Sequence, residues 1–112
     1  MTTLYEDQKA KRDKAKRIEE KVYRSVNHRD KFCCRACGHR ADPNTIGRLD
    51  RGHHHHIVFR SAGGKTTRQN VCLVCAECHD AIHHQSGPRK LFVSGNADAT
   101  LTFGQGGRTW HD

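Results

Sequence analysis

The first part of the chain has the pattern of a charged helix. From about Thr3 to Val26 there is no Gly or Pro, Lys, Arg, Glu and Ala predominate, and Thr2 or Thr3 offers an N-cap. Ile18, Val22 and Val26 recur at four-residue steps, which puts one apolar stripe on an otherwise charged surface. We therefore predict a helix that docks through its second half. The basic residues of its first half are either solvated or in contact with phosphates.

The middle of the chain alternates between turn signals and short patterned segments. The predicted elements are a Cys-rich turn at Phe32–Arg40, a loop at Asp42–Asn44 and a strand at Arg48–Val58 that ends in a run of histidines. A loop at Ser61–Lys65, a second short strand or extended segment near Asn70, and a short helix at Ala76–His84 ended by Gly87-Pro88 follow.

The end of the chain has the pattern of a β-hairpin. Leu91–Val93 and Thr100–Phe103 are separated by the turn-rich segment Ser94–Asp98, and Gly106-Gly107 makes a further turn before Trp110. The predicted fold class is therefore α+β.

Composition adds two constraints to this picture. With 112 residues and 34% hydrophobic residues, the chain fits one domain with a modest core, so something besides apolar burial should stabilise it. The formal net charge of +8 suggests a polyanionic partner, nucleic acid first, although a solvated basic surface gives the same number. No stretch approaches the length of a membrane span, so no membrane partner is expected.

Cysteine spacing predicts the missing stabiliser. Two Cys-x-x-Cys pairs, Cys34/Cys37 and Cys75/Cys78, can supply four thiolates to one tetrahedral structural zinc. Cys72 also forms a Cys-x-x-Cys with Cys75, but we interpret it as a bystander because Cys78 opens directly into the predicted helix. Cys33 is likewise set aside, since Cys34 has the two-residue spacing to Cys37.

The same cysteines bear on the compartment. The N-terminus shows no basic region followed by an apolar run, so no signal peptide is expected and the thiols should be reduced, as in the cytoplasm. Redox-active dithiols would need a βαβ context that is absent here.

Two groups of histidines point to a second metal. His79 and His83 are four residues apart on a predicted helix, so their rings share one face, although such a pair alone is often surface decoration. His55 and His56 lie in a predicted strand, where neighbouring side chains point to opposite sides, so that one can bind metal while the next faces elsewhere.

Taken together, these residues resemble the HNH endonucleases and their ββα-metal motif. The resemblance spans about half the chain, from Phe32 to His84. It is carried by Cys34-Arg35-Ala36-Cys37-Gly38, His55-His56-Ile57-Val58, Gly63-Gly64, Asn70-Val71 and Cys75-Ala76-Glu77-Cys78-His79-Asp80-Ala81-Ile82-His83.

The resemblance implies a role for each histidine. His55 and His79 would bind a catalytic divalent ion, with His83 as a third ligand or a phosphate contact. His56 would be the general base, and Asn70 would support the loop and orient the imidazole of the base. Other registers of the histidine run are possible, but an apolar residue follows the base in this family, and Ile57 therefore selects His56.

The implied reaction is the hydrolysis of phosphodiester bonds in DNA. It would leave a 5′ phosphate and a 3′ hydroxyl, and a single site per chain implies nicking by a monomer or weak dimer. The ion, which would be Mg, Mn, Ni or Zn, stabilises the charge that builds up at phosphorus. Arg60 and Lys65, in the loop after the base, are candidate DNA-phosphate contacts, although solvation explains Lys65 equally well.

The expected architecture is a single nuclease domain. It comprises a basic helical extension at residues 1–31, a zinc-bound ββα core at 32–86 and a C-terminal β-hairpin at 87–112. The alternative function is a zinc-dependent DNA-binding module without catalysis, in which the histidines are structural. A protein-interaction zinc finger is a further rival, disfavoured by the basic charge and by Asn70.

Overall fold

The computed structural model describes residues 3–47 and 50–112. In chain order its elements are α1 (Leu4–Arg29), β1 (Gly52–His56), β2 (Val71–Cys75), α2 (Ala76–His83), β3 (Phe92–Gly95), β4 (Leu101–Gln105) and β5 (Arg108–His111). Short 3-10 turns occur at Arg60–Ala62 and Gly87–Arg89. The mixed α+β class and the ββα core, formed by β1, β2 and α2, are as predicted.

The first helix begins where its sequence predicts. Thr3 is the N-cap and forms a capping box with Glu6, in which each side chain accepts from the backbone N–H of the other residue. Thr2, the other candidate cap, lies outside the described residues. The helix runs three residues beyond the predicted end, to Arg29.

Only the last turns of α1 pack against the core. Val26 is fully buried and Val22 partly buried, where they contact Val71 and Leu73 of β2. Ile18, the third member of the predicted apolar stripe, is 54% exposed. The prediction that it docks is wrong, because the sheet beneath the helix consists of two strands of only five residues each and does not extend below Ile18.

The two strands of the core pair antiparallel, with His54 opposite Leu73 and His56 opposite Val71. The observed strand β1 is shorter than the predicted Arg48–Val58, because the backbone of Val58 bonds to the side chain of Asn70 instead of continuing the ladder. Arg48, the predicted start of the strand, lies outside the described residues.

A buried carboxylate joins the end of α1 to the cysteine-rich turn. The Asp30 side chain is 1% exposed and lies 2.7 Å from Arg29 Nε and 2.8 Å from an Arg35 guanidinium nitrogen. Its other oxygen accepts from the backbone N–H of Leu73 in β2. Because a buried charge is tolerated only when it is paired and hydrogen-bonded, this cluster fixes α1 relative to the core.

The predicted C-terminal hairpin is formed by β3 and β4, and β5 extends it to a three-stranded antiparallel sheet in the order β3-β4-β5. The Gly106-Gly107 turn leads into β5, where Trp110 stacks on Phe103 and donates from its indole N–H to the carbonyl of Ala36. This third strand therefore docks the sheet on the cysteine-rich turn.

None of the helices in the described ranges is long and apolar enough to cross a bilayer.

Candidate active site

Four cysteine sulfurs come together between the Cys-rich turn and the start of α2. Among the described residues, the one group whose possible metal-ligand atoms all lie within 4.8 Å of one another is Cys34, Cys37, Cys75 and Cys78. The Cys37 and Cys75 sulfurs are 3.7 Å apart. Tetrahedral zinc with Zn–S bonds near 2.3 Å would separate its sulfurs by roughly 3.8 Å, so the cluster fits a structural metal such as zinc.

The protonation of the cluster also suits a metal. Hydrogen bonds from Cys34 and Cys78 hold the pKa of Cys75 below its usual value, and the Cys75 sulfur accepts from the backbone N–H of Cys78 at the start of α2. Thiolate is the form of cysteine that binds metal ions. The cluster therefore favours the thiolate form of Cys75, and an ion would displace the remaining protons.

The two remaining cysteines stay apart from this cluster, as predicted. Cys72 is fully buried within β2, and burial raises its pKa to about 12, so it remains a protonated core side chain. Cys33 is partly buried and does not belong to the four-sulfur group.

The pleat of β1 divides the histidine run between the two faces of the sheet. On one face His54 stacks on Tyr23 of α1, with ring centroids 4.3 Å apart, and its Nε2 lies 2.7 Å from Asn27 Oδ1. On the other face His53 stacks on His79 of α2 at 4.4 Å. Because side chains alternate along a strand, His55 joins the α2 face and His56 the α1 face.

His83 lies near both of the other predicted metal ligands on the α2 face. The ring centroid of His83 lies 5.5 Å from that of His55 and 4.6 Å from that of His79. Among the described residues, these histidines do not form a group whose possible ligand atoms all lie within 4.8 Å of one another, so their side chains would have to rotate to share one ion.

These three histidines are held neutral. Burial, followed by the charges of neighbouring histidines, lowers the pKa of His55 and of His79 to about 4, and burial also lowers that of His83. Neutral imidazole is the form that binds a metal ion.

The predicted base lies at the end of β1, where the two faces meet. Its Nε2 is 2.9 Å from Thr66 Oγ1, and burial, with a contribution from the charge of Arg60, lowers the pKa of His56. A small pocket of about 170 Å³ opens here and is called the site pocket below. It is lined by His54, His55, His56, Phe59, Arg60 and His83.

Asn70 closes the loop that follows the base. Its Oδ1 accepts from the backbone N–H of Val58 at 2.8 Å, and its Nδ2 donates to the carbonyls of Val58 at 3.1 Å and Lys65 at 2.9 Å. The loop-supporting part of its predicted role therefore has a structural basis. Among the described residues, the side chain of Asn70 makes no hydrogen bond to His56, so the predicted orientation of the imidazole by Asn70 has no such basis, and the side chain beside His56 Nε2 is that of Thr66.

A glycine makes the same loop close tightly. A Cβ on Gly64 would lie 1.7 Å from the carbonyl oxygen of Val58, so no larger residue fits there. The preceding Gly63 has a φ of 89°, in the left-handed region that favours glycine. The Gly63-Gly64 pair is thus a requirement of the loop geometry.

The two predicted phosphate contacts differ in their placement. Arg60 lines the site pocket and donates to the hydroxyl of Tyr23 at 2.7 Å, with Glu19 at 3.5 Å. Lys65 is exposed and lies in a neighbouring groove, called the side groove below. The side groove is lined by Ala15, Ile18, Glu19, Arg60, Gly64, Lys65 and Thr66.

Comparison with protein families gives one match, and it covers the cysteine cluster and the histidines. Residues 34–85 match the family model described as HNH endonuclease. These residues form an HNH endonuclease domain. The match covers slightly less than half of the chain and leaves α1 and the C-terminal sheet of β3, β4 and β5 outside the HNH domain. Comparisons with curated proteins and with solved structures gave no match.

Several residues that contact the predicted site were not predicted from the sequence. Tyr23 and Asn27 of α1 contact the histidine run, and Thr66 contacts the predicted base. Phe59 packs its ring 5.8 Å from His55 and 5.3 Å from His83. The nearness of Tyr23 to Val22 and Val26 in the packed half of α1 was a usable signal, whereas nothing in the sequence around Thr66 marks it.

Proposed function

We propose that this protein is a metal-dependent DNA endonuclease that hydrolyses phosphodiester bonds with His56 as general base. The observation that carries the proposal is the meeting of His55, His56, His83 and Arg60 around one small pocket within an HNH endonuclease domain. Such a pocket combines a base, metal ligands and a cation for phosphate, which are the groups that phosphodiester hydrolysis requires.

His56 would take the proton from the attacking water. If its Nε2–H donates to Thr66, Nδ1 carries the free lone pair that accepts this proton. Because its pKa is lowered, His56 is mainly the neutral imidazole at pH 7, which is the form that a general base needs.

Arg60 would bind a phosphate oxygen of the bound strand. Its guanidinium is exposed at the pocket, and Tyr23 and Thr66 limit where it can point. Arginine suits this role because its planar fork matches phosphate oxygens. Lys65 would add a more distant phosphate contact from the side groove.

His55, His79 and His83 would hold the catalytic ion, with His83 free to serve as a phosphate contact instead. When bound, a divalent ion supplies Lewis-acid stabilisation of the charge on phosphorus and on the leaving 3′ oxygen. The all-imidazole set leaves Mg, Mn, Ni and Zn open. The four cysteines would hold a separate structural zinc.

The products would be a 5′ phosphate and a 3′ hydroxyl. We propose that residues 1–112 work as one nuclease domain, as a monomer or weak dimer, and that each chain nicks one strand. Reduced thiols at the zinc site are consistent with a cytoplasmic location.

The alternative is a DNA-binding module without catalysis. In that case the four cysteines would bind one zinc per chain and the histidines would bind none, whereas the nuclease binds two ions. Metal analysis of the wild type and of a His55→Ala/His79→Ala variant, each dialysed against Mn, separates these cases. We expect the variant to lose one ion and to keep its zinc.

A nicked duplex oligonucleotide tests the product chemistry. DNA ligase seals a nick only when it carries a 5′ phosphate and a 3′ hydroxyl. We expect ligase to restore the strand after treatment with wild-type protein, and a nick that ligase cannot seal would contradict the proposed hydrolysis.

A further inference from the structure

Most of α1 projects away from the rest of the protein. Every residue from Thr3 to Ile18 is exposed, and the helix contacts the core only through its last turns. This segment lies outside the HNH domain. This segment gains nothing from core packing, so its exposed Lys and Arg side chains are available for another contact.

The orientation of this projecting helix is set by Tyr23 and Glu19. The ring of Tyr23 stacks on His54, and Glu19 lies 3.5 Å from Arg60, so this face of α1 points to the site pocket. At 100° per residue, the residues 7, 11 and 14 positions before Tyr23 lie within about 40° of it. They are Lys16, Arg12 and Lys9, which we call the basic stripe.

Basic residues outnumber acidic ones around this helix. Glu19 is the one acidic residue on the face between Lys9 and Tyr23, and it already pairs with Arg60. The acidic residues Asp13 and Glu20 flank the basic stripe, within about 40° of Lys9 on the helical wheel. Three cations in a row on the face that points to the site pocket are complementary to a row of phosphates.

One residue links the basic stripe to the site. The side groove, of about 480 Å³, joins Ala15 and Glu19 of α1 to Arg60, which in turn lines the site pocket. Of the α1 residues in this groove, Glu19 is the one beside the basic stripe, and Ala15 lies further round the helix. A nucleic acid strand that leaves the site pocket past Glu19 towards the start of α1 would run next to Lys16, Arg12 and Lys9.

We propose that the basic stripe binds the phosphates of duplex DNA on one side of the bond that is cut. From Lys9 to Tyr23 the helix rises about 21 Å, which corresponds to about six base pairs of a duplex. A straight helix of this length matches the regular backbone of a duplex better than a flexible single strand. The proposal rests on the proposed function, in that DNA is the substrate of the site.

The chain provides a matched control on the same helix. Lys14, Arg17 and Lys21 are also exposed, but they lie on the side of α1 opposite Tyr23. The variants Lys9→Gln/Arg12→Gln/Lys16→Gln and Lys14→Gln/Arg17→Gln/Lys21→Gln each remove three positive charges and keep good helix formers. Circular dichroism should give the same helix content for both.

The measurement is the affinity for a 30-base-pair duplex in EDTA as salt is varied. The slope of log K against log salt should fall by about 2 to 3 in the basic-stripe variant, because each lost phosphate contact removes about 0.9. At about 0.1 M salt this weakens binding by roughly tenfold or more. The control variant should change the slope by less than about 1. Footprints should shorten on one side of the site by about six base pairs.

Equal slope changes in the two variants would overturn the proposal, because only the total charge of the helix would then matter. No change of slope in either variant would also overturn it, because the basic stripe would then contact no phosphates. Cleavage of the same duplex by wild type with Mn is followed in parallel. Binding that depends on the basic stripe without any cleavage would defeat the proposed nuclease and keep the stripe. Cleavage with no slope change in either variant would defeat the stripe and keep the nuclease.

Discussion

Replacing Asn70 tests how the loop after the predicted base is held. The side chain makes three hydrogen bonds to that loop, at 2.8, 3.1 and 2.9 Å. Asn70→Ala removes all three. Asn70→Asp keeps the acceptor for the N–H of Val58 but turns a carboxylate oxygen towards the carbonyls of Val58 and Lys65, where it repels them.

The cost follows from the strength of these bonds. Each contributes about 0.5–1.5 kcal/mol, and because Asn70 is half-buried the lower part of that range applies, so either variant should lose about 2 kcal/mol of loop stability. One to two kcal/mol changes a two-state population by a factor of about 5 to 30. Since the loop carries Arg60 and ends beside Thr66, the cleavage rate should fall by a similar factor.

The assay is single-turnover cleavage of a labelled duplex at saturating protein, together with thermal unfolding. Gln69→Ala, at the exposed neighbouring position, is the control and should cleave like wild type. Because the loop carries Arg60, the two Asn70 variants should bind DNA up to about tenfold more weakly, and at saturating protein they should still cut more slowly than wild type. If both cut within about twofold of wild type, closure of the loop by Asn70 is not needed for the reaction and the reasoning fails.

Three further outcomes follow from the structure. Removing the metal from the four-cysteine cluster with a strong chelator should unfold the HNH domain, because closed zinc sites supply folding energy directly. The unfolding transition should lose its thermal cooperativity, and added zinc should restore it. A chelated protein that still melts cooperatively at the same temperature would contradict this. In protein that keeps its structural zinc but has no ion at the histidines, stability should fall as pH drops from 6.5 towards 4. The reason is that the unfolded chain protonates His54 near its usual pKa of 6.5, whereas burial lowers its folded pKa to about 4. His54→Gln should make this dependence shallower, and an unchanged profile would refute the prediction. Tyr23→Phe should keep the stack on His54 but release Arg60, which lowers affinity for DNA by roughly threefold to tenfold without changing the thermal midpoint; the exposed Tyr5→Phe is its control, and equal affinities in the two variants would assign Tyr23 to packing alone.

Local spacing was enough to predict the four-cysteine cluster. The two Cys-x-x-Cys turns identified all four members of the sulfur cluster, and strand alternation predicted that His55 and His56 would point to opposite faces of β1. The capping box at Thr3 is equally local, because its two partners are three residues apart.

Contacts between distant segments could not be predicted in the same way. Tyr23 and Arg60 are 37 residues apart, and their hydrogen bond depends on how α1 crosses the sheet. The strand β5 was missed because Arg108–His111 contains one apolar residue, Trp110, and so shows no alternation. Ile18 was assigned to the core because its four-residue spacing does not reveal that the sheet below it is too short.

The most direct test of the nuclease is cleavage of a supercoiled plasmid by purified wild-type protein and by His56→Ala, each in EDTA and in Mg, Mn, Ni and Zn. We expect wild type to convert the plasmid to the open-circular form in at least one of these ions and not in EDTA, and we expect His56→Ala to lose that activity while still binding DNA. A wild-type protein that shifts the plasmid on a gel but cuts it in none of the ions, or a His56→Ala variant that cuts as fast as wild type, would contradict the account.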